Sequence, residues 1–175
     1  MKFTYFLFTL VIGISGCVNS VEAPIWNPIT ESAEMEYQPY LEAGNATITG
    51  QAFLAQRGGN VVKAAGRTVT LDPATSIGNE WWKKVVTEGY GRSETPPFTA
   101  FQQARRTTTA DADGRFRFSD LPPGKYYLHT VVTWETGSRY SSTQGGMVGQ
   151  LVEVQAGEAI EVILSKTASS QSLPR

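Results

Sequence analysis

The chain has 175 residues, with 15 Lys+Arg against 16 Asp+Glu, a single His and a single Cys. Charged residues make up 18%, below the roughly 25% of an ordinary soluble domain. A near-neutral balance argues against a nucleic-acid partner, which needs a basic surplus to release counterions. One Cys excludes a disulfide framework and a multi-cysteine metal site, and one His excludes a multi-histidine one. The length suits one self-sufficient core.

The amino terminus reads as a leader, residues 1–16. Lys2 is followed by an apolar run from Phe3 to Ile14, about a dozen residues long. A spanning helix needs about 20. The run closes on Ile14-Ser15-Gly16-Cys17, which resembles the bacterial lipobox. The resemblance implies cleavage before Cys17 and acylation of its thiol by diacylglycerol and palmitate-type chains. Val18, rather than Asp, follows the Cys; in bacterial lipoproteins this favours the outer membrane. Membrane lipid, reached through Cys17, is thus the first expected partner. Two or three acyl chains hold a protein stably where one is marginal.

Residues 17–44 read as the acylated Cys and an acidic tether. From 18 to 44 there are five acids (Glu22, Glu31, Glu34, Glu36, Glu42), three prolines and no base. As a flexible coil this stretch spans on the order of 30 Å. Trp26, Tyr37 and Tyr40 sit within it, as incidental linker aromatics or as groups that dock on the domain or the membrane interface.

From residue 45 the pattern has period two. Ile48, Ala52 and Leu54 alternate with Thr47, Thr49 and Gln51; Val69 and Leu71 with Thr68, Thr70 and Asp72; Phe116 and Phe118 with Arg115, Arg117 and Ser119. Tyr126, Leu128, Thr130, Val132 and Trp134 share one face of a longer run; Val152, Val154, Ile160, Val162 and Leu164 complete the set. Such strands predict an all-β, Ig-like sandwich of about seven strands over 45–166. Asp113-Gly114 and Ala156-Gly157-Glu158 read as hairpin turns, and Pro122-Pro123-Gly124 as a turn that interrupts pairing. Gly58-Gly59 and Gly145-Gly146 read as loops. They lack a following Lys-Ser/Thr, so no phosphate cradle is indicated. Residues 167–175 read as a disordered tail.

One long insertion, 73–104, breaks the period. It carries one short helix, with Asn79 as cap, Glu80 to Val86 as body and Gly89 as stop. Glu80 and Lys84 form an i,i+4 pair. Trp81 with Val85, and Trp82 with Val86, make an apolar stripe that lies on a sheet edge. Residues 91–101 read as loop. Insertions of this length are usually functional or mobile. The candidate contact residues are Trp81, Trp82, Lys83, Lys84, Tyr90, Arg105 and Arg106. Two adjacent tryptophans cannot both face one core, and the five bases Lys83, Lys84, Arg92, Arg105 and Arg106 in and beside the insertion suggest a patch for an anionic surface or partner.

The stretch Thr109-Ala110-Asp111-Ala112-Asp113-Gly114-Arg115-Phe116-Arg117-Phe118, followed by Asp120-Leu121-Pro122-Pro123-Gly124-Lys125-Tyr126, resembles the carboxypeptidase regulatory-like domain. Ile48-Thr49-Gly50-Gln51 and Ala65-Gly66-Arg67-Thr68-Val69-Thr70-Leu71 are compatible with its first two strands. The resemblance implies a transthyretin-like Greek-key β-sandwich with Tyr126 pinning a corner. It implies no peptidase activity, since in that family the domain is an appendage to a catalytic one.

Catalytic and cofactor-bearing readings fare poorly. Zinc peptidases, transthyretin-like hydrolases and iron dioxygenases all need more than one His. His129 alone reads as an exposed or partly buried strand residue. Asp111-x-Asp113-Gly114 resembles the start of a calcium loop but lacks its later ligands, and reads as turn chemistry. The expectation is therefore a non-enzymatic envelope lipoprotein without cofactor, whose insertion contacts an envelope protein or a glycan. Alternatives are a structural subunit similar to type VI secretion outer-membrane lipoproteins, and a carbohydrate-binding module with Trp81, Trp82 or Tyr90 stacking on sugar rings. An enzyme using His129, Asp111 or Asp113 ranks last.

Overall fold

A computed structural model describes residues 26–56, 58–89, 94–137 and 143–165. The leader, Cys17, Tyr90 and the tail 167–175 lie outside these residues. Eight strands form two four-stranded sheets: β1 (Ala46–Ala55), β2 (Val61–Lys63), β3 (Thr68–Pro73), β4 (Arg106–Thr109), β5 (Arg115–Leu121), β6 (Gly124–Glu135), β7 (Thr143–Val154) and β8 (Ala159–Leu164). The fold is the expected all-β sandwich. Among the described residues four helices accompany it: α1 (Glu31–Met35), α2 (Gln38–Leu41), α3 (Ser76–Glu88) and α4 (Thr99–Ala104).

The first sheet is built around β1. Antiparallel β5 puts Phe116 opposite Gly50, parallel β8 puts Ile160 opposite Ile48, and β2 pairs only the last three residues of β1. The second sheet has the order β4-β3-β6-β7, all antiparallel. The period-two residues point where the sequence predicts. Ile48, Val69, Leu71, Phe116, Phe118, Tyr126, Leu128, Val132, Val154 and Leu164 are buried together between the sheets. Burying that apolar area drives closure of the sandwich.

Two turns expected to close hairpins do something else. The Asp113-Gly114 turn connects β4 in the second sheet to β5 in the first, and Gly157 connects β7 to β8 across the same gap. Both are corners between sheets. The local chemistry is nevertheless as expected: Asp111 Oδ1 accepts the backbone N–H of Asp113 and of Arg115, both at 2.8 Å. Gly114 has φ 74°, and a Cβ there would lie 2.6 Å from the Ala52 carbonyl oxygen. A positive φ serves a sheet-crossing corner as well as a hairpin, so turn residues alone do not name the next strand's partner. Tyr126 does pin its corner, donating to the Pro122 carbonyl at 2.7 Å. Gly145 and Gly146 lie inside β7, opposite Thr133 and Val132, and not in a loop.

The expected tether is folded from Trp26 onward. Trp26 and Tyr37 are buried in a second apolar cluster with Ile77, Trp81, Trp82, Val85, Ala100, Phe101, Tyr127 and Met147. The segment carries too much aromatic surface to stay solvated when a partly apolar sheet face lies beside it. Glu36 Oε2 also accepts the backbone N–H of Ser76 at 2.6 Å, so an acid of this segment caps the first turn of α3.

The insertion holds more helix than expected. α3 starts earlier than predicted, with Thr75 as its cap accepting from Gly78 N–H at 3.1 Å. Asn79 instead lies within the helix and accepts from the Tyr127 hydroxyl at 2.8 Å. Gly89 is the stop, as read. α4 replaces part of the expected 91–101 loop and buries Ala100, Phe101 and Ala104. Together, α3, α4 and the 26–44 segment cover the outer face of the second sheet and add a third layer.

Candidate functional site

Strand β6 is buried on both faces from Tyr126 to Thr130. Tyr126 and Leu128 enter the sandwich core, while Tyr127 and His129 point outward under the helical layer. Trp82 stacks on Tyr127 with ring centroids 4.6 Å apart and planes 14° from parallel. Trp81 packs against Phe101 (6.0 Å) and His129 (5.2 Å). Both tryptophans are buried, at 1% and 3% exposure, so neither is the surface contact the sequence suggested. Each finds a different part of one wide sheet face. A narrow sheet edge cannot take two adjacent helical tryptophans, but a broad sheet face accommodates both.

The basic cluster also separates. Lys83 and Arg106 are exposed. Lys84 is half-buried, 3.4 Å from Glu80 and 3.8 Å above the Trp26 ring. Arg105 turns inward. Its Nε donates to Asp72 Oδ1 at 2.6 Å and its Nη2 to Oδ2 at 3.0 Å. His129 Nε2 lies 2.9 Å from the same Oδ2. Asp72 is fully buried and His129 is 3% exposed, so His129 is buried more completely than the exposed or partly buried strand residue expected. Register brings the pair together: Thr70 is opposite His129 and Asp72 opposite Tyr127, adjacent positions on the outer face. Burial alone would raise the Asp72 pKa, but the hydrogen bonds from His129 and Arg105 outweigh it and hold the carboxyl below its usual value. A carboxylate this well satisfied is a structural tie. It binds the insertion to the sheet beneath. Among the described residues no group of three or more His, Cys, Asp or Glu could hold a metal ion.

Three clefts among the described residues are of interest. One of about 190 Å³ lies between the 26–33 segment and α3, and another of about 240 Å³ runs along Arg67, Thr68, Thr70, His129 and Val131. The third, about 580 Å³, lies at the open end of the sandwich. It alone falls within the roughly 300–1,000 Å³ of small-molecule sites. Ala55, Gln56, Trp134, Thr143, Gln144 and Gly145 line it. Trp134 is on the core face of β6, as its spacing predicts, but it stands where the opposing sheet runs out and is only half-buried. Periodicity locates the face of such a residue. It does not reveal that the sandwich ends there.

No family model and no curated protein matches the chain. Solved structures do. The chain is similar to a Pseudomonas aeruginosa protein described as a putative carbohydrate binding protein, with 26% identity and a TM-score of 0.66. The match covers 80% of this chain and 99% of that one. The major pilin subunit of Bacillus cereus matches at 11% identity and TM-score 0.39, over 70% of this chain and 30% of that one. The minor pilin of Streptococcus agalactiae matches at 15% identity and TM-score 0.37, over 76% of this chain and 49% of that one.

Proposed function

We propose that this chain is a lipid-anchored, non-catalytic envelope protein whose β-sandwich binds carbohydrate. The observation that carries the reading is the likeness to the Pseudomonas aeruginosa protein, which spans nearly the whole of that chain. The arrangement of polar groups agrees with it. The most concentrated set of ionisable side chains in the interior, Asp72, Arg105 and His129, is consumed by its own internal bonds, which leaves binding as the better reading of the surface.

The anchor rests on the lipobox residues and Cys17. Because Trp26 is docked on the body, only eight residues, 18–25, separate it from Cys17. Eight residues reach at most about 30 Å even when fully extended, so a lipid on Cys17 would hold the body near the headgroups of an outer membrane. Two measurements test this reading. Purified protein probed on a glycan array retains at least one class of sugar, and retention of none overturns the carbohydrate assignment. Metabolic labelling with an alkyne fatty acid marks the wild-type chain and not Cys17→Ser; equal labelling, or none in either, overturns the anchor.

A further inference from the structure

We infer that the sugar site is the open end of the sandwich, where Trp134 is a stacking platform for a neutral pyranose ring and the amides of Gln56 and Gln144 take its hydroxyls. This rests on the carbohydrate reading above and deepens it by naming the site and the ligand class.

The chemistry of the lining selects this class. A pyranose offers a flat patch of C–H groups on one face and hydroxyls around its rim. The patch matches an indole face, and each hydroxyl needs both a donor and an acceptor. A glutamine amide supplies two N–H donors and a carbonyl acceptor, while Trp combines a large apolar face with little rotamer freedom to lose. Among the described residues that line the cleft none carries a charge, so nothing in that set would neutralise a uronic acid or a phosphate. Neither glutamine amide makes a hydrogen bond to a described side chain, and both remain available to a ligand.

The cleft is also held in shape. Trp134 pairs with Gln144 across β6 and β7, so platform and amide are cross-strand neighbours. Gly145 has φ 101°, and a Cβ there would strike the Val132 carbonyl and come within 2.9 Å of Trp134 Cζ3. Only glycine lets β7 pass this close behind the ring. Thr143 Oγ1 donates to Glu135 Oε1 at 2.8 Å beside the mouth. Gln56 N–H donates to the Asn60 carbonyl at 2.7 Å, closing the β1–β2 turn that carries Gln56. The remaining described tryptophans, Trp26, Trp81 and Trp82, are all buried under the helical layer, so Trp134 is the described indole with a face near solvent.

The test uses the full-length protein purified from membranes in detergent. An array carrying neutral oligosaccharides and uronic-acid-containing ones identifies the best-bound sugar, and its affinity is then titrated calorimetrically. Neutral sugars bind more tightly than their uronic counterparts. Trp134→Ala weakens binding at least tenfold, Trp134→Phe weakens it less, and Gln56→Ala with Gln144→Ala weakens it at least threefold. Should Trp134→Ala fail to fold, the Phe variant and the double Gln variant decide. Wild-type affinity in the double Gln variant and in Trp134→Ala or Trp134→Phe overturns this site while the carbohydrate reading stands. If no array sugar is retained at all, site and reading fall together.

Discussion

Arg105 meets Asp72 with two parallel hydrogen bonds, at 2.6 and 3.0 Å, although they lie 33 positions apart in the chain. The pair joins the residue between α4 and β4 to the end of β3 and so closes the insertion on itself. Asp72 has no access to water. Removing its main partner leaves a buried carboxylate with His129 alone. Breaking such a pair typically costs about 3–5 kcal/mol. Arg105→Ala therefore lowers the urea midpoint sharply, and Arg105→Lys, which cannot make the forked contact, falls between it and wild type. A loss under about 1 kcal/mol for Arg105→Ala would show that the tie is dispensable.

The same carboxylate gives the protein an acid limit. Burial works against its ionisation, and the bonds from His129 and Arg105 more than reverse that, so its folded pKa lies below the unfolded value. A depressed carboxyl contributes stability above the unfolded value, about 3.9, and loses it as pH falls through the folded value. Chemical-denaturation midpoints measured from pH 6 downward hold steady and then drop below about pH 4. Asp72→Asn starts less stable and shows a flatter acid limb. Asp113, also held low by its hydrogen bond from Lys63 but exposed to solvent, is the control: Asp113→Asn leaves the limb nearly unchanged, since an exposed pair is screened.

The sandwich was legible because Ile48, Leu71, Phe118, Leu128 and Val162 repeat with the period of a half-buried strand. Its third layer was not, although β6 held a signal. Tyr127, His129 and Val131 alternate with the core-facing residues and are themselves largely apolar, so both faces of that strand needed cover. Trp81 and Trp82 on one side and Trp26 and Tyr37 on the other were the available cover, but an acidic, proline-containing stretch reads locally as a tether. The Asp72–His129 contact spans 57 positions and depends on the β3–β6 register, which no local pattern specifies. Trp134 was placed on the correct face. Its role at the rim depends on where β1 stops, a length rather than a period.

The helical layer sits so close to the sheet that one glycine sets the spacing. A Cβ at Gly149 of β7 would approach the terminal ring carbon of Trp82 and the His129 Cβ to 2.7 Å, and the Leu128 carbonyl to 2.9 Å. The carbonyl belongs to a paired strand and cannot move away. Overpacking of this kind costs about 1–3 kcal/mol. Gly149→Ala lowers the melting temperature and weakens the Trp82–Tyr127 stack, visible as a changed near-ultraviolet circular dichroism spectrum. An unchanged spectrum together with an unchanged melt would mean the layer is looser than its contacts imply.

The amino-terminal segment belongs to the folded body, and truncation measures how much. Tyr37 is fully buried, with its ring 6.2 Å from that of Phe101, and Tyr40 packs edge-on to Tyr126 at 5.2 Å. A chain beginning at residue 45 would uncover Phe101, Ile77 and part of Trp81 and would remove the Glu36 bond to the start of α3. A chain beginning at residue 26 keeps all of these. Burial of a large aromatic contributes about 1.5–3 kcal/mol, and two such rings leave together with Trp26. The shorter chain therefore melts well below the longer one and binds a dye specific for exposed apolar surface. Point substitution Tyr37→Ala reproduces much of the loss, about 3–5 kcal/mol for emptying so large a site. Equal melting of the two truncated chains would return residues 26–44 to the role of a passive tether, and would lengthen the reach of the anchor accordingly.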